Sequence, residues 1–329
     1  MNFYGISYGL VSLRNSRHRS DQPIISTILV AYLIELFPDR VGKVVADGVL
    51  DAITWSNAPP MNGFPADLKD AEAVLRGWSS ACASSSRCSL SNLGNKTTGG
   101  VVGIIDSVLN TAYKTYDGTV WSQTALLVNG TLPPNVHDWS YDNLATIVFG
   151  MLFSSQNWHA LDVLLSLLYA QQNNSTTSSF NSRSERIKLP LHINLISPRW
   201  SASGQWSEGD DPWSQGIYAI ACGDSQDIPS NYTTSTVLDI SIDASQDVSS
   251  HFGTVRSPKW YCHRWSTRAV ERLSGRFDTK PKGVVLVIGN TYDHVTPFAS
   301  AVSMASADRL GSKARLVQFN AIGHYSGMF

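Results

Sequence analysis

The run Gly5-Ile6-Ser7-Tyr8-Gly9 constrains the fold of this chain more than any other feature of its sequence. Its G-x-S-x-G pattern is typical of a nucleophile elbow, a sharp turn between a strand and a helix that exposes the serine oxygen. The two glycines allow this turn because they carry no Cβ atom. The pattern also occurs in ordinary turns, so it indicates an enzyme only if an acid and a histidine follow in the right order.

Two segments near the other end of the chain supply an acid and a histidine. The apolar run at residues 283–289 predicts a buried parallel strand, and Asp293 follows it. A second predicted strand, at residues 314–319, leads to His324. Because open α/β sheets place their chemistry at the carboxyl ends of strands, we expect these side chains to meet. In this interpretation Ser7 is the nucleophile, His324 takes its proton and Asp293 orients the imidazole.

Less specific roles stay open for the acid and the histidine. Asp293 alternatively caps the helix that follows Pro297, and His324 alternatively is a loop histidine without a role in catalysis. His294 is a rival base, but its place beside the acid favours a role in lining the substrate pocket.

Several segments of the chain resemble the tripeptidyl-aminopeptidase-like branch of the α/β-hydrolases, which is close to the prolyl aminopeptidases. The resembling segments are residues 3–9, 37–41, 47–49, 288–297 and 323–324, and more loosely 221–224. The resemblance implies an α/β-hydrolase fold, in which a mostly parallel sheet carries the triad and a large, mainly helical cap is inserted.

The resemblance also implies a reaction and a class of substrate. It implies a serine exopeptidase that acts on peptides with a free N-terminus and releases short peptides or single residues, without a metal or an organic cofactor. The backbone amide of Tyr8 would contribute to the oxyanion hole. Two alternatives stay open: a serine esterase or lipase that uses the same triad, and a truncated hydrolase without activity.

The N-terminal part of the chain departs from the family pattern in two ways. Family members have several strands and a glycine-rich loop before the elbow, so we expect this chain to be N-terminally truncated. Residues 11–30 interrupt the expected elbow helix with a polar, basic segment. Deleting them would join Leu10 to Ala31 in one apolar helix, and we expect an aberrant insert such as a retained intron. The alternative is a genuine loop that screens Ser7.

The segments divide the chain into three predicted parts. Residues 1–54 would form the elbow part of the hydrolase core, residues 55–279 the cap, and residues 280–329 the part of the core with the acid and the histidine. Apolar residues recur at helical spacing in several stretches. The predicted helices are residues 67–83, 101–116, 141–153 and 158–171 in the cap and about 298–310 in the core.

An acidic, tryptophan-rich segment of the cap is a candidate for substrate binding. It contains Trp206, Glu208 and Asp211. An aminopeptidase must hold a positive ammonium group, and a carboxylate beside an aromatic wall suits that need. The alternative is a solvated acidic loop above packed tryptophans.

The composition argues against several kinds of partner. A net charge of −1 argues against nucleic acid and against an anionic membrane surface. The sequence has no apolar stretch long enough for a membrane-spanning helix. It also has no cluster of cysteines and histidines with the spacing of a metal site.

Cysteines and glycosylation sequons favour an extracellular location. We pair Cys82 with Cys88 and Cys222 with Cys262 as disulfides, although four cysteines allow three pairings. The alternative is that they are free, buried cysteines of a cytosolic protein. Acceptor sequons for N-glycosylation occur at Asn95, Asn129, Asn173, Asn174 and Asn231. Together with the even number of cysteines they predict a secreted glycoprotein.

Overall fold

The fold is built on a five-stranded parallel β-sheet. The computed structural model describes residues 2–7, 24–116, 136, 139–173, 212–255, 257 and 259–326. The strands are β1 (Phe3–Ile6), β2 (Ile24–Ile25), β3 (Val44–Asp47), β4 (Val285–Tyr292) and β5 (Ala314–Ile322). They lie in the order β2-β1-β3-β4-β5, and every neighbouring pair is parallel. This sheet and the helices around it confirm the predicted α/β fold.

Helices make up most of the other regular structure in the described chain. In chain order they are α1 (Thr27–Leu36), α2 (Ala52–Asn57), α3 (Phe64–Asp67), α4 (Ala71–Ser84), α5 (Ser89–Leu93), α6 (Thr98–Thr115), α7 (Tyr141–Met151), α8 (Trp158–Gln172), α9 (Pro212–Asp224), α10 (Thr234–Asp247) and α11 (Phe298–Ala305). Among these helices, none combines the length and the apolar character that a membrane span requires.

One apolar core joins the sheet to helices α1 and α11. Alternate residues of a strand point to the same face, so each strand presents a row of apolar side chains to a helix. The buried members from strands and helices are Val44 and Ala46, Val285 and Val287, Val30 and Ile34, and Ala301 and Met304. Removal of this apolar surface from water is the main contribution that holds the sheet and the two helices together.

The register of the sheet brings the ends of its strands to one edge. Ile6 of β1 pairs with Asp47 of β3, and Asp47 in turn pairs with Ile288 of β4. Strand β4 continues beyond that point, and its last residue, Tyr292, pairs with Ile322 of β5. Since the strands are parallel, the residues that follow β1, β3, β4 and β5 all emerge at the same edge.

Helix α1 follows β2 and packs directly behind the serine turn. Ile24 and Ile25 pair with β1, and the Ser26 hydroxyl then caps the helix by accepting a 3.0 Å hydrogen bond from the amide of Leu29. The helix therefore begins at Thr27, earlier than the expected junction at Ala31. The origin of residues 11–30 as an aberrant insert stays a prediction.

The described chain divides into two compact units. One unit contains residues 1–72 and 213–329, and the other contains residues 73–212. In the second unit α6 packs against α7 and α8, and Ile105, Ile147 and Leu165 are fully buried. These three helices match the predicted ones to within a few residues. The predicted boundaries of the cap at residues 54 and 279 stay a prediction.

Candidate active site

Ser7 lies in the sharp turn between β1 and the residues before α1. Its backbone has a φ of 44°, in the left-handed region that residues other than glycine rarely adopt. Two hydrogen bonds hold it there: its amide donates to the carbonyl of Asp47 (3.0 Å), and its carbonyl accepts from the amide of Thr27 (2.9 Å). A nucleophile elbow has this strained conformation, and the serine side chain is held at a fixed position.

The first glycine of the motif lets β1 approach α1. A Cβ atom on Gly5 would lie 2.5 Å from Cγ2 of Val30 and 3.3 Å from the carbonyl oxygen of Ser26. A residue with a Cβ atom therefore fits at this position only if the Val30 side chain is displaced. The second glycine of the motif, Gly9, lies outside the described residues.

His324 follows β5 and reaches the Ser7 hydroxyl. Its Nε2 atom forms a hydrogen bond with Ser7 Oγ, and only 3% of the residue is exposed. The turn before it is fixed by Gly323, which has a φ of 123° and donates its amide to the carbonyl of Tyr292 (3.0 Å). The side-chain amide of Asn290 donates to the carbonyl of Gly323 (2.7 Å), so β4 also holds this turn.

Asp293 follows β4 and contacts the other nitrogen of His324. The distances from Nδ1 to the two carboxylate oxygens are 3.0 and 3.1 Å. Oδ1 also accepts the amides of Val295 (2.8 Å) and Thr296 (2.9 Å), and Oδ2 accepts the Thr296 hydroxyl (2.7 Å). The structure therefore brings together the three side chains Ser7, His324 and Asp293.

These contacts determine the charge of the acid and the tautomer of the histidine. Burial raises the pKa of Asp293, but the charge and hydrogen bond of His324 and the amide of Thr296 outweigh it, so the pKa lies below its ordinary value. An ionised carboxylate only accepts hydrogen bonds, so Nδ1 of His324 carries a proton. Whenever the imidazole is neutral, its Nε2 is the acceptor and is directed at the Ser7 hydroxyl.

Three further residues shape the site, and the sequence did not assign them a role. Thr296 supports the carboxylate of Asp293 with its hydroxyl and its amide. Gly48 has a φ of 66° and lies beside the His324 ring. Asp47 is fully buried and binds the turn after His324. The sequence signal for them is that they belong to segments 47–49 and 288–297, which carry the family resemblance.

The remaining predicted site residues divide into two groups. His294 is buried, with 1% exposed, and its charge contributes to the lowered pKa of Asp293. Its role in lining a substrate pocket stays a prediction. The others lie outside the described residues; they are Tyr8, Trp206, Glu208 and Asp211.

The two predicted disulfides are present. Cys82 is bonded to Cys88, and Cys222 is bonded to Cys262. In the described part of the chain, one group has the proximity of metal ligands, and it consists of Cys82, Cys88 and Asp162. Both sulfurs are in the disulfide, and the Asp162 carboxylate accepts the amides of Ser89 (2.9 Å) and Leu90 (3.0 Å). This group therefore has a structural role.

Three of the predicted glycosylation sites are exposed on the surface. They are Asn95, Asn173 and Asn231, whereas Asn129 and Asn174 lie outside the described residues. Exposure is a requirement for the modification, and the modification itself stays a prediction.

Comparison with known proteins relates the C-terminal part of the chain to a family. A family model described as TAP-like protein matches residues 249–327, a segment that includes Asp293 and His324. No curated protein matches the chain. The match and the parallel sheet with its serine turn relate this protein to the α/β-hydrolases. The matched segment is similar to that family, and the match supports a relationship to the α/β-hydrolase superfamily.

Proposed function

We propose that this protein is a serine hydrolase of the tripeptidyl-aminopeptidase type, an exopeptidase that forms an acyl-enzyme on Ser7. The observation that carries the proposal is the continuous hydrogen-bonded chain from Ser7 through His324 to Asp293. The family match supports it, because it covers the acid and the histidine.

The contacts suit a two-step acyl transfer. Ser7 Oγ attacks the substrate carbonyl while His324 Nε2 takes the hydroxyl proton, and Asp293 stabilises the imidazolium that results. The imidazolium then protonates the leaving amine as the peptide bond breaks. A water molecule, deprotonated by the same Nε2, attacks the carbonyl of the acyl-enzyme. The imidazolium returns this proton to Ser7 Oγ as the ester bond breaks and the acid product leaves.

Substrate recognition is proposed from the sequence. The amide of Tyr8 would donate to the oxyanion, since the residue after the nucleophile has this role in an elbow. Glu208 and Asp211 would bind the substrate ammonium beside Trp206, and His294 would line the pocket. Secretion is proposed as well, because both disulfides belong to an oxidising compartment.

Labelling with a fluorophosphonate probe tests the proposal. We expect the folded wild-type protein to be labelled and Ser7→Ala not to be labelled. Ser241→Ala is a matched control, because Ser241 is a buried serine of α10 whose hydroxyl donates to the carbonyl of Val237 (3.1 Å). Absence of labelling in folded wild-type protein would contradict the proposal.

A second experiment separates peptidase from esterase. Peptide amides with a free N-terminus should be cleaved, and acetylation of that N-terminus should abolish the cleavage. Hydrolysis of simple esters, with no cleavage of free peptides, would instead support the esterase or lipase alternative.

A further inference from the structure

Asp47 is a buried carboxylate beside the candidate site that the proposed reaction does not use. It is the last residue of β3, between the strands that carry Ser7 and Asp293, and it is fully buried. A buried carboxylate is costly unless hydrogen bonds compensate for the loss of water. Its hydrogen-bond partners therefore indicate what the residue holds in place.

The carboxylate of Asp47 binds the turn that follows His324. Its Oδ1 accepts the amide of Ser326 (3.0 Å), and its Oδ2 accepts the Ser326 hydroxyl. Tyr325, which lies between His324 and Ser326, has a backbone φ of 38°, which is unfavourable for a tyrosine. Tyr325 donates its own amide to Asp293 (3.3 Å). Two carboxylates thus hold residues 324–326 in a strained conformation.

The same residue binds the strand of the nucleophile. The Tyr4 hydroxyl donates to Oδ2 of Asp47 (3.1 Å), and the Asp47 carbonyl accepts the amide of Ser7 (3.0 Å). Burial and then the charge of Asp47 raise the pKa of Tyr4, so the phenol keeps its proton and remains a donor. Asp47 therefore connects the turn that follows His324 to strand β1, which leads to Ser7.

We propose that Asp47 is a positioning residue, which fixes His324 relative to Ser7 by holding the turn at Ser326 and the strand at Tyr4. The inference rests on the proposed function of Ser7 and His324. A positioning error of about 1 Å costs a reaction on the order of 10²-fold in rate, so a connection of this kind has a measurable effect.

Asp47→Asn tests the proposal against a matched control. The amide cannot accept the Ser326 donors as a carboxylate does, and we expect the maximal rate of fluorophosphonate labelling to fall on the order of 10²-fold, with unchanged affinity for the probe. Asp162→Asn removes another buried carboxylate, which accepts two backbone amides and the Ser166 hydroxyl in the other compact unit. It should lose stability and be labelled at the wild-type rate per folded molecule.

Smaller changes keep the test decisive if Asp47→Asn does not fold. Tyr4→Phe and Ser326→Ala each remove one hydroxyl donor, and each should lower the labelling rate about fivefold. If both variants and Asp162→Asn are labelled at the wild-type rate, the proposal is wrong while the proposed function of Ser7 stands.

A measurement that needs no activity distinguishes the two failures. The Nδ1 proton of His324 should give a low-field NMR resonance, assigned by its loss in His324→Gln. We expect Ser326→Ala and Asp47→Asn to shift or broaden this resonance and Asp162→Asn to leave it unchanged. If wild-type protein is not labelled, the proposed function of Ser7 is wrong. The response of this resonance to Asp47→Asn still shows whether Asp47 positions His324. An unchanged resonance in folded Asp47→Asn would overturn the proposal.

Discussion

Gly48 lies so close to Tyr325 that a Cβ atom on the glycine would be 2.9 Å from the Cβ atom of the tyrosine. The same atom would lie 3.4 Å from Cε1 of His324. The backbone of Gly48 also has a φ of 66°, which a side chain disfavours. The turn of the histidine therefore depends on the absence of a side chain at the end of β3.

Gly48→Ala is expected to displace His324 and to destabilise the fold. A left-handed backbone destabilises a residue that has a Cβ atom by about 1–2 kcal/mol. The clash with Tyr325 destabilises the fold further. Fluorophosphonate labelling and urea unfolding measure the two effects.

Gly103→Ala is the control, because Gly103 lies in α6 and a Cβ atom there would meet no atom of the described residues within 4 Å. It should stabilise the helix by about 1 kcal/mol and leave labelling unchanged. Unimpaired labelling of Gly48→Ala would contradict this prediction.

Thr296→Val is expected to raise the pKa of Asp293. The hydroxyl hydrogen bond to the carboxylate favours its ionised form, and its loss should cost about 1.5–3 kcal/mol. The pKa of Asp293 is lower in the folded state than in the unfolded chain, where it is about 3.9. Ionisation of Asp293 therefore stabilises the fold at pH values above about 3.9. This stabilisation is lost as the pH falls through the folded-state pKa. Acid unfolding of Thr296→Val should therefore begin at a higher pH. Thr296→Ser keeps the hydroxyl and should follow the wild type; identical acid transitions in all three proteins would exclude the effect.

Lys259 should make stability rise with pH in the alkaline range. Its ammonium is buried, donates to the carbonyl of Trp55 (2.7 Å) and lies 4.2 Å from the centre of the Trp55 ring. Burial lowers the pKa of Lys259 to about 8, although the negative charges of Asp67 and Asp224 raise it. Between about 8 and the ordinary value of 10.5 the unfolded chain binds the proton and the folded chain does not. The free energy of unfolding therefore gains a positive slope with pH.

Urea unfolding at several pH values measures this slope. Lys259→Met keeps the length of the side chain and removes the titration. The difference in unfolding free energy between wild type and Lys259→Met should increase in favour of the wild type from pH 8 upward. A difference that stays constant over this range would show that Lys259 titrates normally.

The two disulfides should contribute unequally to stability. Cys222 and Cys262 are separated by 40 residues, whereas Cys82 and Cys88 are separated by 6. Loop-closure entropy then gives about 4 kcal/mol for the longer loop and about 2 kcal/mol for the shorter one. Double substitution of each pair by alanine, followed by urea unfolding, compares them. A larger loss on removal of Cys82–Cys88 would contradict the entropic account.

Sequence patterns predict the long helices well and the ends of elements poorly. α6, α7 and α8 have apolar residues at regular helical spacing, and their burial follows from that spacing. The helix expected to reach residue 310 ends instead at Ala305. There the Ser306 hydroxyl bonds to the carbonyl of Ser303 (2.7 Å) and to Asp308 (2.7 Å), and these local bonds compete with the helix.

Strand β4 shows a second limit of sequence patterns. The apolar run ends at Gly289, but the strand continues through Asn290 and Thr291 to Tyr292 because β5 pairs with it there. Asn290 interrupts the apolar run because asparagine is depleted in strands, and the residue that pairs with it, Phe319, lies far along the chain. Asp293 is therefore placed by a contact that the local sequence does not contain.

The candidate site could be predicted where a motif marks it and not where distant residues meet. Ser7, Asp293 and His324 stand in recognisable segments and in the order of an α/β-hydrolase. Asp47 and Thr296 act through hydrogen bonds to residues that only the fold brings near. Neither residue type nor spacing distinguishes them from an ordinary strand end or turn.

The hydrogen bond between Ser7 and His324 joins residues 317 positions apart, and this separation sets the time at which the proposed site can form. During synthesis Ser7 leaves the ribosome long before Asp293 and His324 do. β1 can pair with β3 early, but β4 and β5 add to the sheet only after residues 285–322 have left the ribosome. Under the proposed function, Ser7 has no base until then, so a growing chain cannot cleave itself or its neighbours.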